Sequence, residues 1–291
     1  MFLSDKWKDY ELIDARCGEK LERWGDIILR RPDPQIVWDI PKSDRSLLWN
    51  KADATYIRSN TGGGHWEVNK KMPDSWNIEY KKLKFGIKRM GFKHTGLFPE
   101  QADNWEWFSD IIKNSHRSDV NVLNLFAYTG GATVAASKAG AAVCHVDASK
   151  GMVSWAKENA ALSGVSECPI RYIVDDVKKF VEREIRRGRK YDGIIMDPPS
   201  YGRGPSGEIW KVEDEIFNLV SLCMEILSDT PLFFLINSYT TGLSGSIIKD
   251  ILQLTVYKNY GGKIDVDEVG LPITNQSLVL PCGFSGRWES R

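Results

Sequence analysis

The segment NLFAYTGGATVAASKAGAAVCHVDAS, Asn124 to Ser149, decides the fold. An apolar run breaks at Ala127, Tyr128, Thr129 and the pair Gly130 and Gly131; small residues follow, and a second apolar run ends on one acid, Asp147. Short apolar runs read as buried strands, glycines at their ends as turns, and the small-residue stretch as a helix. The alternation continues outward. Strands are predicted at NVLNLF, AAVCHVD, IRYIV, YDGIIMD and PLFFLINS, and helices at GATVAASKAG, KGMVSWAKENAALSG, VKKFVEREIRRG, VEDEIFNLVSLCMEIL and SGSIIKDILQLTV. Such a pattern implies an α/β, Rossmann-like, mostly parallel sheet covered on both faces. After the fifth pair, GKIDVDEVG and QSLVLPCGF have no helix between them and predict an antiparallel hairpin on the sheet edge.

Residues 1–100 read differently and are expected to form a small, tryptophan-rich, mainly β domain, with 101–291 carrying the α/β sheet. Helical periodicity is weak there, and in LKFGIKRMGF the residues Leu83, Phe85 and Ile87 alternate with Lys84, Gly86 and Lys88 as a strand with one wet face requires. A helix is predicted across EQADNWEWFSDIIKNS. The 39 basic and 39 acidic residues balance, so no overall field draws the chain to a polyanion. Five cysteines without a CxxC pair argue against a disulfide framework and against structural zinc. No stretch approaches a membrane span, and a cytoplasmic location is expected.

Ligands of open parallel sheets bind beyond the carboxyl ends of the strands. The loop from Phe126 to Gly131 and the acid Asp147 both fall there, and the pair suits a nucleoside: backbone approaching closely at the glycines, a carboxylate accepting from ribose hydroxyls. The GxGxxG spacing of a dinucleotide fold is absent, which counts against a nicotinamide oxidoreductase. VDDVKKF puts Asp175 and Asp176 at the next strand end, where one contacts the base and the other caps the following helix; Asp175 is the candidate cap. In MDPPSYGRG the strand delivers Asp197, Pro198, Pro199, Ser200 and Tyr201 to the same edge. The prolines lack amide hydrogens and fix φ, so this loop presents carbonyl acceptors in a rigid frame, with an aromatic ring beside them that can stack on a planar base.

In order and spacing, LNLFAYTGGATV, HVDASKGMVSWAKENAALSG, VDDVKKF and MDPPSYGRG resemble the class I S-adenosylmethionine-dependent methyltransferases. Within that class they are most similar to the ribosomal RNA large-subunit cytosine-5 methyltransferase group and its uncharacterised relatives. HTGLFPEQ adds to the likeness, which runs from about Thr95 to the carboxyl terminus. The resemblance implies a seven-stranded sheet, S-adenosylmethionine as cofactor with S-adenosylhomocysteine as product, and RNA, ribosomal RNA foremost, as partner. It implies cofactor contacts from Gln101, Phe126, Ala127, Tyr128, Thr129, Gly130, Gly131, Asp147, Ala148, Asp176, Val177 and Asp197. Asp197, Pro198, Pro199, Tyr201 and Asn237 are the expected catalytic set; no metal is expected.

The chain departs from that group in three places. The group's amino-terminal RNA-binding module has no counterpart in Met1 to about Tyr80, and Ala102 stands where the signature has arginine. Cytosine C5 is a poor nucleophile that needs a cysteine adding to C6, and the group supplies it after the fifth strand. Asn237, Ser238 and Tyr239 occupy that loop here. Direct transfer to nitrogen or oxygen is therefore the expected chemistry. Cys282, flanked by apolar residues, reads as a core thiol. Lys70, Lys71, Lys81, Lys82, Lys84, Lys88, Arg89 and Lys93, interleaved with Trp76, Tyr80 and Phe85, fit either a nucleic-acid surface or a solvated strand face, and leave a non-catalytic RNA-binding protein as the alternative of another class. A protein or small-molecule acceptor is the alternative within the enzyme reading.

Overall fold

The computed structural model describes residues 1–59, 63–203, 209–240 and 242–290. Gly204, the last residue of the Asp-Pro-Pro motif, and Thr241 lie outside them. The chain forms two compact units: one of Met1–Phe2, Asp103–Val269 and Gly283–Arg291, the other of Leu3–Ala102 and Gly270–Cys282.

The larger unit opens with helix α1 (Ala102–Asn114) and alternates strands β1 (Asn121–Leu125), β2 (Ala142–Asp147), β3 (Ile170–Val174), β4 (Gly193–Met196) and β5 (Phe233–Ser238) with helices α2 (Gly131–Lys138), α3 (Lys150–Leu162), α4 (Val177–Arg186), α5 (Val212–Met224) and α6 (Gly245–Leu252). Strands β6 (Lys263–Ile273) and β7 (Leu278–Glu289) complete a sheet ordered β3-β2-β1-β4-β5-β7-β6. The first five are parallel, and β7 runs antiparallel to β5. The hairpin is longer than its sequence implied: β6 continues through residues 271–273 and β7 through 285–289, where charged Arg287 and Glu289 pair with Leu235 and Phe233 of β5. Every residue of β4 and β5 is buried, as strands covered on both faces require. Leu123, Leu125, Val146, Ile194, Met196, Phe234 and Ile236 line one face of the sheet, under α4 residues Val177, Phe180 and Val181. A buried leucine or phenylalanine contributes roughly 1.5–3 kcal/mol, so this layer is a large part of the unit's stability. Among the described residues no helix is long and apolar enough to cross a membrane.

The smaller unit is mainly β. Tyr10–Arg16, Glu19–Trp24 and Ile27–Pro32 form a meander, Ala54–Arg58 joins it in parallel, Gly64–Val68 pairs outside that, and Ser75–Tyr80 with Leu83–Lys88 makes a separate hairpin. Leu83, Phe85 and Ile87 are buried, as their alternation predicts. Glu22 is fully buried and compensated: it accepts from Arg31 at 2.6 and 2.8 Å and from the Tyr10 hydroxyl at 2.8 Å. Despite burial, the Arg31 and Lys20 charges hold its carboxyl at about 2. Asp14, equally buried, accepts from Ser46 N–H and Trp49 Nε1, each at 2.8 Å, and binds Asn275 and Gln276 of the β6–β7 turn.

Candidate active site

Strand register puts the expected site residues on one edge. Val146 of β2 and Met196 of β4 both pair with Leu125 of β1, and Met196 also pairs with Ile236 of β5. The next residue on each strand is Phe126, Asp147, Asp197 or Asn237, so four chain segments deliver these residues in a single row beyond the carboxyl ends.

The loop after β1 turns through the left-handed region at alternate positions, with φ of 54° at Phe126, 50° at Tyr128 and 81° at Gly130. Left-handed backbone costs a non-glycine residue about 1–2 kcal/mol, so two such residues two positions apart need outside support. Asp147 supplies it. One of its carboxylate oxygens accepts from Tyr128 N–H and the other from Ser149 N–H, both at 2.8 Å. Burial raises its pKa against the lowering effect of those two amides. Each carboxylate oxygen has two lone pairs, so the pair of amides leaves acceptor capacity for a ribose. The Asn159 side chain fixes the Thr129 carbonyl from α3 at 2.8 Å. Ala127 and Thr129 are buried, and Ala148 is exposed.

Gly130 answers a packing demand that the sequence did not display. A Cβ there would lie 2.8 Å from the Ala156 Cβ, so its missing side chain admits helix α3, while Gly131 begins α2. Beneath this turn, Asn124 Nδ2 donates to Thr133 Oγ1 and that hydroxyl meets His145 Nδ1, each at 2.9 Å. Burial holds His145 at about 3.

At the third strand end the cap is the second acid, not the first. Asp176 is the helix cap, accepting from Lys179 N–H at 3.0 Å, whereas Asp175 pairs with Arg183 and accepts from Asp176 N–H. Val177 follows the cap and is buried in the core.

Asp197 N–H donates to the Leu125 carbonyl at 3.4 Å. Pro198 is buried; Pro199 and Tyr201 are exposed, the tyrosine by 51%. Tyr201–Arg203 pairs with Ile209–Lys211, and this small hairpin holds the loop from outside. Trp210 Nε1 donates to the Pro199 carbonyl at 2.7 Å, and Val212 N–H to the Ser200 carbonyl at 3.2 Å. The Trp210 ring lies 5.0 Å from that of Phe126. Nothing in the isolated sequence marked this tryptophan; its place follows from strand pairing with Gly202.

Asn237 is placed in the row but faces inward. It is 2% exposed, and its Oδ1 accepts from Ser285 Oγ at 2.6 Å and Asn104 Nδ2 at 3.2 Å, beside Arg287 bound to Asn104 and Asp103. Through these bonds the side chain anchors the end of β5. Gln101 is buried in the turn Pro99–Gln101 of the smaller unit. Cys282 also belongs to that unit, where its thiol lies 3.5 Å from the Leu280 carbonyl and burial pushes its pKa up; burial does the same to Cys223.

Residues 58–225 match the S-adenosylmethionine-dependent methyltransferase family, a span of more than half the chain that takes in β1 to β4 and their loops. A crystal structure of the SAM-dependent methyltransferase from Agrobacterium tumefaciens is 35% identical, covers 100% of this chain and 93% of its own, and superposes with a TM-score of 0.92. A putative SAM-dependent methyltransferase from Streptococcus mutans, 19% identical over 98% of this chain and 76% of its own, shares the fold with a TM-score of 0.72. Among curated relatives, ribosomal RNA large subunit methyltransferase K/L of Shewanella frigidimarina is 33% identical over 50% of this chain, and methyltransferase K of Neisseria meningitidis 25% identical over 68%. These matches span only 20% and 57% of the relatives' own lengths. The left-handed loop, the amide-braced Asp147 and the Asp-Pro-Pro edge suit the family's cofactor, and the chain belongs to the S-adenosylmethionine-dependent methyltransferases.

Proposed function

We propose that the protein methylates a base of RNA, ribosomal RNA foremost, by direct transfer and without a cysteine adduct, in the cytoplasm. The observation that carries this reading is the shared register row of Asp147 and Asp197, which brings a ribose-accepting carboxylate and an acceptor-holding loop to one sheet edge. The names of the curated relatives support RNA as the substrate.

S-adenosylmethionine, when bound, supplies a methyl group already activated on sulfonium. The chain has to hold, align and exclude. Asp147 takes the ribose hydroxyls, with Phe126 to Gly131 and Ala148 beside it and Asp176 and Val177 on the adenine side. Asp197 and the Pro198 carbonyl accept hydrogen bonds from an acceptor amine, which aims the nitrogen lone pair in line with the methyl group. Pro199 stiffens the loop, and exposed Tyr201 packs on the base. In this reading residues 101–291 carry the chemistry, and residues 1–100 form a separate mainly β domain that meets the RNA. Support against an adduct comes from the thiols: Cys223 and Cys282 are held protonated, whereas the attacking species is a thiolate.

Labelled S-adenosylmethionine incubated with unmethylated ribosomal RNA and, separately, with total protein tests the reading by nucleoside and amino-acid analysis. Label in a methylated nucleoside is expected. Label confined to amino acids would transfer the assignment to a protein substrate.

A further inference from the structure

We propose that Trp210 is a positioning residue that ties the acceptor loop, Asp197 to Tyr201, to the cofactor loop, Phe126 to Gly130. The inference rests on the methyltransferase site proposed above and adds a residue to it. Pro198 and Pro199 have no amide hydrogens, so at these two residues the backbone can be gripped only through its carbonyls. Two grips are present on one side. Trp210 Nε1 holds the Pro199 carbonyl at 2.7 Å, and Val212 N–H holds that of Ser200 at 3.2 Å. The second is backbone and independent of side-chain identity; the first is specific to an indole. The same indole lies against Phe126, the first left-handed residue of the cofactor loop, with ring centroids 5.0 Å apart and planes tilted by 53°. Phe126 packs in turn against the core under the sheet. A single side chain thus contacts both loops, and its own backbone is fixed by pairing with Gly202. In-line transfer depends on alignment to within a fraction of an ångström, which two independently moving loops cannot hold.

Amide hydrogen exchange with S-adenosylhomocysteine as the probe tests the tie. In the wild-type protein the ligand should slow exchange at Phe126–Gly131 and at Ser200–Gly202 together. Trp210→Phe keeps a ring over Phe126 and removes the N–H donor. In this variant the slowing at Phe126–Gly131 should persist, while that at Ser200–Gly202 falls by about fivefold, as the loss of one net hydrogen bond implies. Ligand affinity should stay within about twofold and the melting temperature close to that of wild type. Slowing at Ser200–Gly202 that is absent in wild type, or undiminished in the variant, overturns the tie. So does a variant that melts early and loses protection equally at both loops, since that marks general packing. If the wild-type protein fails to bind S-adenosylhomocysteine at all, the cofactor site itself falls, and the tie with it.

Discussion

Asp147 has two jobs whose separation is measurable. It braces Tyr128 N–H and Ser149 N–H, and in the proposed function it offers its remaining lone pairs to a ribose. Asp147→Ala removes both and should weaken S-adenosylhomocysteine binding by more than about tenfold while lowering the melting temperature, on the scale of about 1.5–3 kcal/mol for hydrogen bonds to a charged acceptor. Asp147→Asn keeps one carbonyl acceptor and should recover part of the stability and less of the affinity. Calorimetry and thermal melting of the two variants check this; unchanged affinity in a folded Asp147→Ala protein contradicts it. His145 gives a pH signature. Burial holds it at about 3 in the folded chain, against about 6.5 for an exposed histidine. Below the exposed value the unfolded chain takes a proton that the folded chain refuses. Stability is therefore intact above about pH 6.5 and drains away as pH falls towards 3, by up to about 1.4 kcal/mol per unit. His94, held at about 4 by burial and by the Arg31 charge, steepens the same slope. Urea unfolding between about pH 7 and 5 should show His145→Gln losing stability more gently than wild type; parallel slopes contradict the assignment. The acidic residues of the row were legible because strand ends fix position by counting. Trp210, the His145 network and the inward turn of Asn237 were not, because each depends on which strand lies alongside.

At the scale of elements, parallel strands buried on both faces announce themselves as apolar runs, and β1 to β5 begin and end within a few residues of the runs in the sequence. The helix caps were less readable. Asp175 and Asp176 are adjacent carboxylates, and only the turn geometry decides that the second reaches Lys179 N–H. In the smaller unit the meander from Tyr10 to Pro32 escaped recognition because charged residues lie in its interior: Glu22 and Arg31 break the apolar alternation, yet satisfy one another when paired. The junction of Gly130 with α3 is an element-level contact with its own test. Gly130→Ala adds a methyl 2.8 Å from the Ala156 Cβ at a φ of 81°, so strain and clash coincide. A loss of about 2–4 kcal/mol in unfolding free energy is expected, with weakened S-adenosylhomocysteine binding. Enlarging the gap with Ala156→Gly should restore part of both. No recovery in the double variant would contradict the packing account.

For the molecule as a whole, the balanced charge leaves the proposed attraction to RNA to local surfaces. The hairpin Ser75–Tyr80 with Leu83–Lys88 is the candidate, but its charge is partly spent: Lys84 lies 3.3 Å from Glu79, and Arg89 3.1 Å from Asp74. Charge reversal at Lys82 and Lys84 should weaken RNA binding and flatten its salt dependence by one to two phosphate contacts, roughly 0.7 in slope for each on single strands. Binding insensitive to salt in both proteins would remove this strand from the RNA path. The central claim concerns Asp197, placed beside the cofactor loop to hold the acceptor. Single-turnover methyl transfer to unmethylated ribosomal RNA, measured on wild type and Asp197→Ala together with S-adenosylhomocysteine affinity, tests it most directly. A rate lowered by about a hundredfold or more, with cofactor affinity within several-fold of wild type, is the predicted result; a near wild-type rate in the variant would contradict it.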